Sequence, residues 1–298
     1  MSNAILDAPV VGTTTELPAA IDDPQMDAEE RAHARRERVD SVTRWLMPLL
    51  TIVAGIVLWD RIVAWNEIPV YILPGPGKVA QTIVADAGLL LTDLRQTMSI
   101  TLLALLIAVV GGVGLAVLFT QSRVIEQSLS PYAVILQVTP VIAIAPLIRI
   151  YVETPMIQLL LCAWIVAFFP ILSNTTLGLN SVDHNLRDLF RIYGASRWQR
   201  LRYLQLPSAL PYFMGGLRIA GGLALIGAVV AEFVIGVGGT GNGLAARILE
   251  SGYRLNIPRL YAALIVIALA GVAIYVATGW LSHMALRKWH ESAVKREA

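Results

Sequence analysis

The segment at residues 178–211 reads GLNSVDHNLRDLFRIYGASRWQRLRYLQLPSALP and connects two long apolar runs. In its first half, Leu189, Phe190 and Tyr193 recur at helical spacing, with charged residues on the opposite side. Gly194 follows, and glycine is the residue that most readily adopts the left-handed conformation at a helix end. The pattern therefore predicts a short amphipathic helix that ends at a glycine hinge.

The second half of the same segment predicts another short helix. Ser196 is suited to cap its N-terminus, and Trp198, Leu201 and Leu204 share one face. Leu206-Pro207 is expected to stop the helix, since proline cannot donate a backbone hydrogen bond. Two such helices expose apolar side chains that must be buried against another surface. Either the bilayer surface or the groove of a partner protein would bury them.

The composition of the whole chain is that of a membrane protein. Of 298 residues, 56% are hydrophobic and 15% are charged, and the mean hydropathy is +0.65, whereas soluble domains carry about 25% charged residues. Apolar segments of about 20 residues can cross a bilayer as helices. Six such spans are expected: Trp45–Trp65, Thr97–Thr120, Tyr132–Val152, Met156–Leu177, Tyr212–Gly236 and Leu260–Leu286. We therefore predict an all-α fold with six transmembrane helices.

Turns and prolines interrupt this series of spans. Residues 71–77 are a turn-rich exit from the first span. Residues 78–96 are amphipathic and too polar to cross, so they predict a helix at the membrane interface. Pro140 and Pro146 lie in the third span and Pro170 in the fourth. Prolines at such positions indicate either ordinary kinks or spans that pack centrally around a cavity.

The two ends of the chain are polar. Residues 1–43 predict a disordered tail, since the first 30 residues contain seven acidic residues and no Lys or Arg. A basic cluster from Arg31 to Arg44 fits either contact with anionic lipid or a role in orientation. Fifteen basic residues fall on the N-terminal side of the membrane and seven on the other side. Both termini are therefore expected in the cytoplasm, with a transmembrane domain over residues 44–286 and a tail over 287–298.

The segment at residues 178–211 resembles the EAA loop of ABC importer permeases. That pattern has Glu-Ala-Ala, a glycine after three further residues, and Ile-x-Leu-Pro after nine more. Here Asp188-Leu189-Phe190 occupies the triplet, Gly194 the glycine and Leu204 to Pro207 the close. The Gly-Ala-Ser-Arg-Trp that begins at Gly194 is typical of the branch that imports nitrate, sulfonates, taurine and bicarbonate. The similarity extends from about Ile72 to the C-terminus.

This resemblance implies a type I permease fold in the cell inner membrane and a transport subunit, not an enzyme. ATP and Mg²⁺ would be bound by an ATP-binding subunit present in two copies, and no cofactor would bind this chain. The other implied partners are a second permease copy in a homodimer, an extracytoplasmic substrate-binding protein and membrane lipid, with no nucleic acid. The residues implied to contact the ATP-binding subunit are Arg187, Asp188, Leu189, Phe190, Arg191, Tyr193, Gly194, Ala195, Ser196, Leu206 and Pro207.

The triplet of the loop departs from the family pattern. Asp188 is shorter than the usual Glu, and Leu189 and Phe190 replace two small alanines. By the resemblance, this helix docks into a cleft of the ATP-binding subunit, so the cleft is expected to accept bulkier side chains. The alternative is that Leu189 and Phe190 pack only on helices of their own chain.

Glu232 is the one acidic residue deep within a predicted span, where a carboxylate is costly and is usually paired. Arg247 and Arg149 are the expected partners, and both a structural ion pair and a role in substrate passage or gating are open. Small residues precede Glu232 at i, i+4 spacing, which predicts close helix packing at the subunit interface. These are Gly216, Ala220, Ala224 and Ala228. Other pathway or gate candidates are Thr139, Pro140, Arg149 and Asn174.

Rival functions have less support. No Walker A sequence occurs, and the five glycines of residues 236–243 precede no Lys-Ser/Thr, so a flexible outer loop is the better interpretation. Cys162 reads as a small buried hydrophobe. A membrane enzyme would need a catalytic constellation, and the four histidines lack metal-ligand spacing: His33, His184, His283 and His290. A stand-alone secondary transporter commonly has internal repeats and charged pairs within its spans, whereas the sequence shows no repeat and one clear intramembrane acid.

The substrate class is open between two groups. The branch named above imports small anions, whereas related members import thiamine-precursor-like heterocycles. The sequence is more similar to the heterocycle group than to the anion group at residues 231–233, 256–259 and 287–293.

Overall fold

A computed structural model of the chain describes residues 24–235 and 243–287. Within these ranges the chain is helical and contains no strand, which confirms the all-α prediction. The helices are α1 (Pro24–Trp65), α2 (Pro76–Ala85), α3 (Ala87–Gln121), α4 (Arg123–Val138), α5 (Val141–Tyr151), α6 (Pro155–Asn180), α7 (His184–Ile192), α8 (Arg197–Arg200), α9 (Leu206–Ile235), α10 (Leu244–Tyr253) and α11 (Ile257–Leu286). A π-helical turn, Leu201–Gln205, joins α8 to α9.

The chain divides into two units, residues 1–61 and 62–298. The first unit is described from residue 24 onward and consists of helix α1 up to Arg61. Residues 1–23 of the expected disordered tail lie outside the described residues, and residues 24–43 are helical. Ala, Glu and Arg make up half of residues 24–43, and these residue types have high helix propensity.

Five helical segments are long and apolar enough to cross a membrane: Leu46–Trp65, Ala87–Gln121, Pro155–Asn180, Arg197–Ile235 and Ile257–Leu286. They correspond to five of the six predicted spans. The third predicted span is wrong as a continuous helix, because α4 and α5 meet at 102°. Thr139 and Pro140 both have extended backbone angles at the bend. The proline ring disfavours helical geometry in the residue before it and removes one backbone donor.

The predicted interfacial helix is shorter than expected. Helix α2 ends at Ala85, and α3 begins two residues later and continues for 35 residues. Residues 87–96 therefore belong to a spanning helix and not to a surface helix. The polar side chain of Asp93 in this stretch and that of Thr97 directly after it are buried inside the protein, which explains why a polar stretch can extend an apolar span.

The core of the second unit is the packing of α6 against α9, with α3 against α6 and α11 against α9. The predicted row of small residues on α9 is buried by the chain itself: Gly216, Ala220, Ala224 and Ala228. A Cβ at Gly216 would lie 2.8 Å from Asn174 Cβ on α6. The row therefore packs within this subunit, and its predicted position at the subunit interface is wrong. Cys162 is fully buried, in agreement with its reading as a hydrophobe.

Two glycines of α9 give a matched test of this packing. A Cβ at Gly227 would lie 2.9 Å from Ala163 Cα on α6, whereas a Cβ at Gly222 would have nothing within 4 Å. Gly227→Ala is expected to destabilise the chain by about 1–3 kcal/mol, because the backbones of α6 and α9 must separate. Gly222→Ala should instead be neutral or raise stability by up to about 1 kcal/mol. Thermal unfolding of both variants in the same detergent checks this, and equal midpoints would contradict the packing described.

Candidate coupling site

The loop between α6 and α9 begins with α7, whose two ends are both capped. Asp183 accepts a hydrogen bond of 2.7 Å from the backbone N–H of Asn185. At the other end, Gly194 has a φ of +66°. The N–H of Ala195 donates to Phe190 O at 2.9 Å and that of Gly194 to Arg191 O at 3.1 Å. This pair of bonds is a Schellman motif, so the predicted glycine hinge is confirmed.

The second half of the loop also begins as predicted. Ser196 and Gln199 form a reciprocal capping box, in which Ser196 Oγ accepts from Gln199 N at 3.2 Å and Gln199 Oε1 accepts from Ser196 N at 2.7 Å. The predicted stop at Leu206-Pro207 is wrong, because α8 continues through the π-helical turn into α9. A π-helical turn tolerates the missing backbone N–H of the proline that follows it. Arg197–Ile235 therefore forms one helical rod of 39 residues.

A surface groove of about 470 Å³ lies between the two halves of the loop. It is lined by Leu189, Phe190, Tyr193, Ala195, Gln199 and Tyr203. None of the residues of α7 is buried, and Leu189, Tyr203 and Tyr193 are 46%, 63% and 81% exposed. The groove therefore offers an uncovered apolar surface in the loop segment between α6 and α9. Leu189 leaves nearly half of its surface uncovered by its own chain, whereas Phe190 is half-buried.

The eleven residues expected to contact a partner divide into three groups. Leu189, Phe190, Tyr193 and Ala195 line the groove. Arg187 lines a different cavity on the inner side of the loop. Asp188 and Arg191 are exposed on α7, Gly194 and Ser196 shape the two helix ends, and Leu206 and Pro207 form the first turn of α9. Sequence reasoning missed Gln199 and Tyr203, which the second helix adds to the groove.

The groove depends on the left-handed backbone of Gly194. Gly194→Val is expected to cost about 1–2 kcal/mol, since a β-branched residue is strained at this φ. No atom lies within 4 Å of a Cβ at this position, so the cost is conformational and not steric. Gly194→Asn should cost much less, because asparagine tolerates this region. Limited proteolysis of the loop should be faster in Gly194→Val than in Gly194→Asn, and equal rates would show that the φ carries no strain.

The pathway candidates lie on separate elements. Thr139 and Pro140 form the bend between α4 and α5, and Arg149 is exposed near the end of α5. Asn174 on α6 donates to Pro170 O at 2.8 Å. Among the residues that the structure describes, none of these side chains is hydrogen-bonded to another of them or to Glu232. The candidates are thus not brought together as one polar site within a single chain.

Glu232 is fully buried and bonds across three helices. Its Oε1 accepts from Thr97 Oγ1 at 2.8 Å, and its Oε2 accepts from the backbone N–H of Ala245 at 2.9 Å. Thr97 Oγ1 in turn accepts from the N–H of Leu244 at 3.0 Å. The carboxylate thus binds free amides at the N-terminus of α10, where negative charge is favoured. The expected pairing of Glu232 with Arg247 or Arg149 is wrong.

Close approach of the chain makes this contact possible. A Cβ at Gly243 would lie 2.0 Å from Glu232 Oε1, so only glycine leaves room for the carboxylate. Gly243 is the last residue of the glycine-rich segment, whose other members, residues 236–242, lie outside the described residues. The prediction of a flexible outer loop falls mainly on that segment.

Arg247 pairs with Asp93 on α3 instead. Its Nε donates to Asp93 Oδ2 at 2.7 Å, and its guanidinium also contacts Glu250. The pKa of the Arg247 guanidinium lies above its ordinary value, because the hydrogen bond to Asp93 outweighs the opposite effect of burial. Sequence reasoning missed both Asp93, which falls in the predicted surface helix, and Thr97, which begins the second predicted span; they lie one helical turn apart on α3. Their i, i+4 spacing together with Thr101 is the signal that could have found this buried polar row.

A further ion pair lies near the same helix ends. Arg259 at the start of α11 donates to Asp86 between α2 and α3 at 2.6 Å. These polar contacts join α3, α9, α10 and α11 at the end of α9 that is remote from the loop. They involve Asp86, Asp93, Thr97, Glu232 and Arg247. Across the described side chains, no group of three His, Cys, Asp or Glu residues could hold a metal ion.

The family match and the most similar relatives indicate the same protein family. The model of the "Binding-protein-dependent transport system inner membrane component" family matches residues 108–287. The riboflavin transport system permease protein RibX of Chloroflexus aurantiacus is 36% identical over 261 residues, which cover 86% of this chain and 96% of that protein. The formylaminopyrimidine transport permease protein ThiX of Halalkalibacterium halodurans is 31% identical over 242 residues, 81% of this chain and 95% of that protein.

A solved structure supports the fold alone. The inward-facing MetNI methionine ABC transporter has a chain that matches with a TM-score of 0.57 at 20% identity, over 67% of this chain and 97% of that one. The family match spans more than half of the present chain, and it includes both the groove and the row of small residues on α9. The chain therefore belongs to the binding-protein-dependent transport family and is a multi-pass membrane permease of the ABC importer class.

Proposed function

We propose that this permease moves a small solute across the cytoplasmic membrane and receives the energy of ATP hydrolysis through the groove between α7 and the π-helical turn. The observation that carries this proposal is the exposed apolar lining of the groove, in a loop whose helix ends are fixed by two capping motifs. Apolar surface of this kind outside the spans needs a partner. An ATP-binding subunit, with ATP and Mg²⁺ bound to it, is the partner that the family supplies.

Two permease copies and two ATP-binding subunits would form the working importer, with a substrate-binding protein at the outer face. Both termini and the α7–α8 loop then lie in the cytoplasm. The distribution of basic residues, fifteen against seven, supports this orientation. Five of these basic residues lie in the loop segment itself.

The continuous helix from Arg197 to Ile235 supports a mechanism for coupling. A helix of this length behaves as a rod, so a movement imposed at the groove also moves the far end of α9. Glu232 lies at that far end and holds the N-terminus of α10. Motion of the ATP-binding subunits would thereby reach the outer helices without passing through a flexible joint. We assign Glu232 a structural role in this linkage, because its two oxygens are both engaged.

The bend at Thr139 and Pro140 is the best candidate for a gate. Non-helical backbone within a membrane is stable only where protein or a water-filled cavity surrounds it. Thr139 and Pro140 supply such a break, and Arg149 at the end of α5 is exposed and unpaired among the described residues. We propose that this face of α4 and α5 lines the passage, with Asn174 near its wall.

The substrate proposed here is a small heterocycle of the flavin or pyrimidine type. The relatives RibX and ThiX, named for riboflavin and formylaminopyrimidine transport, each match more than four-fifths of the chain. A sulfonate permease, SsuC of Bacillus subtilis, is 26% identical over 76% of the chain, and a nitrate permease, NrtB of Synechocystis, matches only 45% of it. The anion alternative is therefore less well supported.

Titration of the cognate substrate-binding protein tests the substrate class. Riboflavin, a formylaminopyrimidine, taurine and nitrate are added separately, and binding is followed by calorimetry. One of the two heterocycles is expected to bind, and the anions are not. Binding of nitrate or taurine without binding of either heterocycle would overturn the substrate proposal, and it would leave the coupling proposal untouched.

A further inference from the structure

A second cavity lies on the inner side of the loop and has a different chemistry from the groove. Its volume is about 490 Å³. Four arginines line it, Arg123 from α4 and Arg187, Arg197 and Arg200 from the loop, together with one acid, Glu126. Within the described part of the chain, none of the four guanidinium groups forms an ion pair, and the buried Nε of Arg200 has no hydrogen-bond partner. The cavity thus holds four positive charges against the one negative charge of Glu126.

The position of this cavity is at the membrane surface. Phe119 and Gln121, at the end of α3, and Asn180, at the end of α6, form part of its wall. Both helices are spans, so the cavity lies where the hydrocarbon region gives way to headgroups and water. The amide groups of Gln121 and Asn180 add neutral hydrogen-bonding groups beside the guanidinium groups.

A mostly apolar crevice continues from the cavity along the spans. It has a volume of about 350 Å³ and lies between α3, α4 and α6. The crevice shares Phe119, Glu126 and Asn180 with the cavity. Its other lining includes Ala133, Val134 and Leu172. A charged chamber at headgroup level that opens into a crevice at acyl-chain level matches the two parts of one phospholipid.

We propose that this composite site binds an anionic phospholipid, with the phosphate among the four arginines and an acyl chain along the crevice between α4 and α6. Guanidinium groups bind phosphate oxygens through charge-assisted hydrogen bonds. Basic pockets between spanning helices at the cytoplasmic surface are suited to anionic headgroups. A free phosphate would satisfy the arginines but would leave the crevice unfilled, so the crevice favours a lipid over a soluble anion.

The site would link lipid composition to transport, and this part rests on the function proposed above. Three of the four arginines belong to the loop whose outer side carries the groove. A bound lipid would hold the inner side of the loop and so fix the groove in its docking position. Stimulation of the ATP-binding subunit by this permease is therefore expected to require anionic lipid.

Lipid retention by the purified full-length chain tests the site without any ATP-binding subunit. The chain in mild detergent is mixed with phosphatidylglycerol, with phosphatidylcholine or with inorganic phosphate, and bound molecules are counted by native mass spectrometry. Phosphatidylglycerol is expected to bind in preference to phosphatidylcholine. The variant Arg123→Gln/Arg197→Gln should weaken phosphatidylglycerol binding about 25-fold, because each guanidinium contributes about five-fold. Arg95→Gln, which removes an exposed charge at the other end of α3, is the matched control and should have no effect.

A second variant separates the lipid from a soluble anion. Val134→Trp fills the crevice without changing any charge, so it should reduce retention of phosphatidylglycerol while all four arginines remain. Equal binding of the two lipids would overturn the proposal, as would equal losses in the double variant and Arg95→Gln. A different result would show a soluble-anion site instead. In that case the chain binds inorganic phosphate but retains no lipid, and Val134→Trp leaves the phosphate binding unchanged. Because these measurements involve no transport, they can fail while the proposed function stands.

Discussion

Arg247→Leu is expected to destabilise the chain by about 3–5 kcal/mol, because it leaves the Asp93 carboxylate buried without a counter-charge. The side chain of Asp93 is only 3% exposed, and its ion pair with Arg247 joins α3 to α10. The measurement is unfolding of the purified chain in mixed micelles with rising denaturing detergent, followed by tryptophan fluorescence. Asp93→Leu/Arg247→Leu removes both charges and is expected to recover much of the loss.

Arg254→Leu is the matched control for this effect. Arg254 directly follows the last residue of the same helix and also pairs with a carboxylate, Glu250, at 2.9 Å, but its side chain is 71% exposed. Removal of an exposed pair should cost less than about 1 kcal/mol. If Arg247→Leu and Arg254→Leu lower stability equally, the buried pair does not hold α3 and α10 together.

Leu189→Arg is expected to weaken binding of the ATP-binding subunit by roughly 30-fold or more, since loss of a central apolar contact in an interface costs about 2 kcal/mol or more. Leu189 lines the groove and is 46% exposed, so the substitution should leave the fold of the chain intact. Affinity of the purified ATP-binding subunit for the permease in nanodiscs is the quantity to measure.

His184→Arg supplies the control for charge. His184 is exposed on the face of α7 opposite the groove, so an added cation there should change affinity little. A similar loss of affinity in both variants would mean that the added charge weakens binding and that the groove is not the docking surface. An unchanged affinity in Leu189→Arg would place the docking surface elsewhere.

The loop could be predicted from the sequence because its structure is determined by local interactions. Gly194, Ser196 and Gln199 act on residues within a few positions of themselves, and each makes the bond that its residue type favours. The stop at Leu206-Pro207 failed for a reason that is also local but rarer. A π-helical turn before the proline allows the helix to continue, and a single proline does not reveal such a turn.

The buried polar row could be predicted only in part, because its partners are distant in the sequence. Asp93 and Arg247 are separated by 154 residues, and Thr97 and Glu232 by 135. Hydropathy places Glu232 inside a span and shows that it needs a partner, but several polar side chains compete for that role. The free amides at the start of α10 could not be predicted, since backbone donors at a helix end carry no sequence signal of their own.

The central claim is that this permease transports its substrate only when ATP is hydrolysed by a subunit bound at the α7–α8 groove. ATP-dependent uptake into proteoliposomes containing the permease, its ATP-binding subunit and the loaded substrate-binding protein measures this directly. The account predicts uptake with ATP, none with a non-hydrolysable analogue, and none after deletion of residues 183–205. Uptake that continues without the ATP-binding subunit, or that is unchanged by the deletion, would contradict it.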